Sequence, residues 1–179
     1  MVEPLRGKKT SLREIASTDG PALFRIVGDD RVTKFMSFDS RSREVAQKSV
    51  DDVVERSKAR PRTEYYLAIT CAGDDELIGT CRIAYSGMQA AKLGYMVAAD
   101  YWGNGYATDA VSVMLDFAFR ELDLHRVTAA IGPANPASQA VVKRLGFSRE
   151  GVLRDHVFTN GTWRDSVLFS LLRHEWVKS

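Results

Sequence analysis

The spacing of apolar residues changes character near Pro61. Residues 8–14 (KKTSLRE) read as a short first strand, and helical patterns follow. Asp19 is a natural cap with Pro21 in the first turn, and that helix runs to about Val27. Residues 30–36 fit neither period. A polar helix is expected from about Arg43 to Lys58, with Val45, Val50, Val53 and Val54 as its apolar face, and Pro61 closes the region. Beyond it, Tyr65–Thr70 and Leu77–Tyr85 are rich in strand formers, and AGDDE between them predicts a hairpin. Lys92–Ala99 is a further strand. Ala107, Ala110, Val111, Met114 and Ala118 then fall at helical spacing, so a helix is expected to about Leu122. His125–Ile131 reads as a strand. In PANPAS, Asn135 is a natural N-cap and Pro136 a natural first helical residue, and that helix should stop at Gly146. Residues 147–150 and 162–172 supply the last strands. The predicted order, β-α-α-β-β-β-α-β-α-β-β, is that of an α/β or α+β sheet with helices on its faces.

One stretch departs from ordinary packing. GYMVAADYWGNGYATDAV, residues 94–111, leads a strand through Gly103 and Gly105 straight into a helix. Such a turn exposes backbone N–H groups at a helix N-terminus, where the dipole favours an anion and phosphate is the usual guest. It reads equally as a tight turn alone. A P-loop requires a Lys that this loop lacks, and Thr108 stands where a dinucleotide fingerprint has its third glycine.

Composition narrows the class. The 179 residues are 45% hydrophobic and 27% charged, enough for one domain with a core. A net charge of +2 suits anionic ligands and is far too small to argue for nucleic acid. No apolar run reaches the roughly 18 residues of a membrane span, and MVEPLRGKKT lacks a signal peptide's apolar stretch. A cytoplasmic protein is expected, with Cys71 and Cys81 as free thiols.

YWGNGYATDA, the strand LGYMVA before it and HRVTAAIGPANPASQAVVKRLGFSREGVLRD after it resemble the GNAT acyltransferase superfamily, more narrowly its RimJ/RimL type of N-acetyltransferase. The resemblance covers about residues 8–175. It implies a single domain over 6–178 with a mixed, mostly antiparallel sheet of about seven strands, helices on both faces, and a central parallel pair that splays after Met96. It also implies acetyl-coenzyme A as co-substrate. In the family this loop, normally Gln/Arg-x-x-Gly-x-Gly/Ala, cradles the pyrophosphate. By resemblance that assigns Gly103, Asn104, Gly105, Tyr106, Ala107 and Thr108 to the cofactor, with Trp102 in the place of Gln or Arg. Tyr95, Met96 and Val97 match the strand whose backbone pairs with the pantetheine arm. Asn135 would touch that arm, and Ser138 would stand near the thiol as donor or acid.

Two departures bear on the chemistry. Many GNAT enzymes carry a tyrosine where this chain has Val142, which shifts the acid role toward Ser138 or solvent. The glutamate base of RimL-like enzymes falls by spacing on Val157. Asp155 and His156 are its neighbours, and on an extended strand at most one of them enters the site. Arg164 and Asp165 read as a structural pair, and Glu64, Tyr65 and Tyr85 are candidates for the acceptor cleft. No cluster has metal spacing. The resemblance implies direct transfer of acetyl to a primary amine, a protein N-terminal α-amine or a small molecule. The N-terminal helices and the last hairpin would form the acceptor side. A non-catalytic acyl-coenzyme A binding module is the alternative, and a homodimer stays open.

Overall fold

The computed structural model describes residues 2–176, so the last two positions of the expected domain, 177 and 178, lie outside the described residues. In chain order the elements are β1 (Leu5–Arg6), β2 (Thr10–Glu14), α1 (Gly20–Val27), α2 (Asp30–Thr33), α3 (Arg43–Ser57), β3 (Glu64–Cys71), β4 (Leu77–Gly87) and β5 (Ala90–Val97). They continue with α4 (Tyr106–Asp116), β6 (Arg126–Ile131), α5 (Pro136–Arg144), β7 (Ser148–Thr159) and β8 (Thr162–Leu172). One eight-stranded sheet runs β1-β2-β3-β4-β5-β6-β8-β7, antiparallel except at β5–β6. The expected architecture is present with one strand more, the two-residue β1.

Strand alternation sends side chains to two cores. Leu67 and Ile69 join Val111, Met114 and Phe169 on the α4–α5 face, while Ala68 and Met96 join Leu23, Ile26 and Val50 on the α1–α3 face. Helices therefore cover both faces.

Several expectations are corrected. Asp19 does not cap α1 with its side chain. Its carboxylate accepts from Ala16 N at 2.8 Å and from both Arg13 terminal nitrogens at 2.8 and 2.9 Å, which engages both oxygens away from the helix. The uncommitted segment 30–36 contains the short α2, capped by Asp29 accepting from Arg31 N. The α4 helix stops at Asp116 and widens into a π-turn over Phe117–Glu121. β7 runs to Thr159, far past residue 150. Register shifts at Arg149/Gly151 and Leu153/Val157 interrupt its period of two, and Asp155 takes φ +47°. Asn160 and Gly161, both at positive φ, turn it into β8.

The central pair parts earlier than expected. β5 pairs β6 only from Ala90↔Arg126 to Lys92↔Thr128, so the separation begins at Leu93 and not after Met96. From there β5 stays with β4, and β6 stays with β8 as far as Ile131↔Val167. β8 itself begins at Thr162, so residues 162–166 have no strand on their β6 side.

Candidate functional site

The parting strands open two cavities. The first, about 310 Å³, runs along the end of β5, the N-terminus of α4 and the first turns of α5. Tyr95, Met96, Val97, Gly103, Gly105, Tyr106, Ala107, Thr108, Asn135 and Ser138 all line it. Asn104 does not: its amide donates to Tyr101 O at 3.3 Å and Trp102 O at 3.1 Å and is used within the turn.

Gly103 and Gly105 have φ of +79° and +80°, and Gly105 is the residue before α4. Left-handed backbone favours glycine here. No backbone lies within 4 Å of a Cβ built on either one, so a ligand can come close. The first-turn amides of α4, at Tyr106, Ala107 and Thr108, have no partner within the helix and face the groove. Trp102 folds back, its Nε1–H donating to Val97 O at 2.8 Å. Lys9 reaches over from the β1–β2 turn and donates to Asn104 O at 2.8 Å, placing a cation beside the loop. Arg144 lines the other side.

Asp109, one turn into α4, fastens this end of the helix. Its carboxylate accepts from Lys8 N (3.1 Å), Lys9 N (3.0 Å), Thr10 N (2.9 Å) and Thr10 Oγ1 (2.8 Å). Burial alone would raise its pKa, but these donors outweigh burial and hold the carboxyl below the ordinary carboxylate range. A Cβ on Gly7 would collide with this carboxylate, so glycine there permits the approach.

The second cavity, about 290 Å³, opens between the loop after α2 and the β7–β8 hairpin. Tyr66, Thr80, Gly94, Ile131, Val157 and Ser166 contribute to its wall. Gly94 has nothing within 4 Å of a built Cβ and no positive φ, so neither packing nor backbone requires glycine there. Arg164 donates to Lys34 O at 2.8 Å and to Met36 O, tying the hairpin to the loop, and its buried Nε has no hydrogen-bond partner. Asp39 completes the tie by accepting from Thr159 Oγ1 (2.6 Å) and Asn160 N (2.8 Å).

The two cavities share Phe35, Met36, Tyr95, Met96, Asn135 and Ser138. At this junction Asn135 Oδ1 caps α5 by accepting from Ser138 N at 3.0 Å. Its Nδ2 has no protein partner among the described residues. Ser138 Oγ–H donates to Tyr95 Oη at 2.7 Å, and Tyr95 Oη–H donates to Ser138 O at 2.9 Å. Val142 is fully buried in the core.

Other candidates go elsewhere. Arg164 and Asp165 are not a pair. Adjacent strand residues face apart, and Asp165 accepts from Asp155 N at 2.9 Å. His156 Nδ1 lies 2.9 Å from Ser166 Oγ, so it meets the second cavity only through that serine. Glu64 binds Arg56 and Arg82. Tyr65 stacks edge-on against Phe117 at 5.0 Å, so Tyr66, on the opposite face, is the β3 tyrosine of the cleft. Tyr85 lines neither cavity. Cys81 is buried, which pushes its thiol pKa up. Among the described residues no group of three His, Cys, Asp or Glu side chains could hold a metal, and no helix is long and apolar enough to cross a membrane. Phe35 and Met36 were not foreseen, because the segment that carries them has no clear period.

A family model described as an acetyltransferase (GNAT) domain matches residues 9–148. A probable N-acetyltransferase of Bacillus subtilis, YjcK, is 32% identical over 94% of this chain and 96% of its own length. The ribosomal protein uS5-alanine N-acetyltransferase of Escherichia coli is 29% identical over 63% of this chain and 59% of its own. Among solved structures, Mycobacterium smegmatis RimJ in complex with CoA-disulfide superposes with a TM-score of 0.84 at 28% identity, covering 99% of this chain and 90% of that one.

Proposed function

This chain belongs to the GNAT acetyltransferase family and is an N-acetyltransferase that uses acetyl-coenzyme A, and from that premise we propose that its acceptor is the α-amine of a protein N-terminus. The observation that carries the proposal is the bare edge of β8. Residues 162–166 flank the second cavity with no strand on their β6 side, so an extended peptide can pair there and lead its terminal amine to the junction. The likeness to an enzyme named for a ribosomal-protein alanine supports the same acceptor class. The comparisons lend no support to a non-catalytic binding module.

The groove fits the co-substrate. Amides of the glycine loop and of the first turn of α4, with Lys9 alongside, suit the pyrophosphate. The edge of β5 from Leu93 onward, which β6 leaves bare, suits the pantetheine arm, with Asn135 Nδ2 beside it. Acetyl-coenzyme A supplies a thioester carbonyl that an amine attacks. Backbone N–H groups near Met96 and Val97 receive the charge that develops on the carbonyl oxygen. Ser138 offers a hydroxyl to the departing sulfur. Ser166, held by His156, faces the entering amine, and Val157 leaves its proton to water. Holding both reactants at one junction provides much of the acceleration.

The test is a thiol-release assay with acetyl-coenzyme A, short peptides with different first residues, and small amines, with products read by mass spectrometry. The proposal expects acetyl on the peptide α-amine. Turnover of small amines with every peptide left untouched would refute the acceptor class while leaving the acetyltransferase assignment intact.

A further inference from the structure

Tyr95 matches a strand position whose backbone the resemblance assigns to the cofactor, yet its side chain does something separate. Its ring packs against the α4–α5 core and carries the hydroxyl to the junction of the two cavities. There it meets Ser138, 43 positions away in sequence, through two hydrogen bonds of opposite sense. In this arrangement Ser138 spends its proton on Tyr95 Oη and has none for a ligand. A phenol can exchange one acceptor for another, however, because Ser138 O and Ser138 Oγ both lie within its reach.

We propose that Tyr95 is the positioning residue for the leaving sulfur: by turning its hydroxyl proton from Ser138 O to Ser138 Oγ, it frees the Ser138 hydroxyl to donate a hydrogen bond to the thiolate. The proposal rests on the reading of the first cavity as the acetyl-coenzyme A groove and is independent of the acceptor. As the N–C bond forms, the C–S bond breaks with its electron pair on sulfur. Ser138 Oγ–H donates to that pair, and Tyr95 Oη–H donates to Ser138 Oγ. Neither protein group loses its proton. The proton from the amine passes to water. Two hydroxyls in series also make each donor stronger than it would be alone.

The environment suits this role. Burial pushes the Tyr95 phenol up, more than the Ser138 hydrogen bond lowers it, so the group stays a donor over the working range. Val142, buried on the same helix as Ser138, has no hydrogen-bonding side-chain group. Among the described residues the side-chain hydroxyls common to both cavities are those of Tyr95 and Ser138.

The experiment needs no acceptor. The thiol of bound coenzyme A is titrated by the ultraviolet absorbance of its thiolate in wild type, Tyr95→Phe, Ser138→Ala and the double variant. Free coenzyme A titrated in the same way gives the reference value. The proposal expects a lower value on the wild type, a rise of about one unit, tenfold in proton affinity, in Ser138→Ala, and a smaller rise in Tyr95→Phe, where Ser138 keeps its proton but loses the donor that strengthens it. The double variant should rise no further than Ser138→Ala, since Tyr95 acts through that serine. Desulfo-coenzyme A should bind wild type and Tyr95→Phe equally, which shows that the groove is intact. No rise or a fall in Tyr95→Phe, as expected if Tyr95 only occupies the Ser138 proton, an added rise in the double variant, or an equal loss of desulfo-coenzyme A affinity would each overturn the proposal. Failure of coenzyme A to bind the wild type would instead overturn the reading of the groove.

Discussion

Replacing Asp109 with Asn changes little volume and removes one charge, so it isolates what the carboxylate contributes. Three of its four bonds converge on Oδ2, from Lys9 N, Thr10 N and Thr10 Oγ1, and Lys8 N takes Oδ1. An amide keeps at most the Oδ2 set and turns an NH₂ group toward the N–H of Lys8. The three retained bonds fall from charged to neutral strength, each losing about 0.5–1.5 kcal/mol. Water can satisfy exposed Lys8, but Thr10 is fully buried and depends on this acceptor. The sum is a loss of about 2–4 kcal/mol, or about 5–15 °C in Tm for a chain of this size. Folding favours the ionised form of Asp109, so its contribution is whole above the ordinary carboxylate pKa of about 3.9 and disappears as pH falls through the lower folded value. Thermal unfolding of both proteins across acid and neutral pH checks this. The gap in Tm should be widest near neutrality and close in acid. A neutral-pH gap below about 2 °C, or a gap that persists unchanged in acid, would refute the reasoning.

Gly105→Val puts a β-branched side chain on a left-handed backbone at the loop, so coenzyme A binding measured by calorimetry should collapse while the circular dichroism spectrum holds. Gly94→Val meets open space on a strand that favours Val, so stability should hold or rise slightly. The affinity for acetyl-coenzyme A should stay unchanged while kcat/KM for the acceptor falls at least about tenfold, as expected when a cleft is filled. Ser138→Ala should lower kcat roughly ten- to hundredfold with little change in KM for acetyl-coenzyme A, since one transition-state donor is lost; a kcat within about twofold of wild type under chemistry-limited conditions would remove the serine from the mechanism.

Much of the fold could be read from local signals because those signals are local in cause. Asn135 and Pro136 start α5 where expected, and the Asn135 side chain makes the capping bond itself. In α3 the start is right, capped by Ser42, and Val50 and Val53 are buried as expected, but the first inward position is Ala46, fully buried, while Val45 is 46% exposed. A small residue carries little hydropathic signal, and docking against α1 decided the face. Asp19 failed as a cap because Arg13, on a different element, outcompeted the helix for its oxygens. The bulges of β7 erased the alternation by which a strand is recognised. At the site, the glycines and Asn135 announce themselves by type and spacing. The pairing of Tyr95 with Ser138 does not, because a strand and a helix meet there only after the whole sheet has formed.

The early parting of β5 and β6 sets the order in which molecules can come and go. By the proposed assignment each reactant has its own entrance, and the two paths converge at the junction. Two entrances that meet at one junction let both reactants be resident at once, so direct transfer predicts double-reciprocal velocity plots that intersect rather than run parallel. Spent coenzyme A then competes with acetyl-coenzyme A for one entrance but leaves the other free. Rising levels of the product would slow the enzyme without displacing its acceptor, so turnover would follow the ratio of acetylated to free coenzyme A.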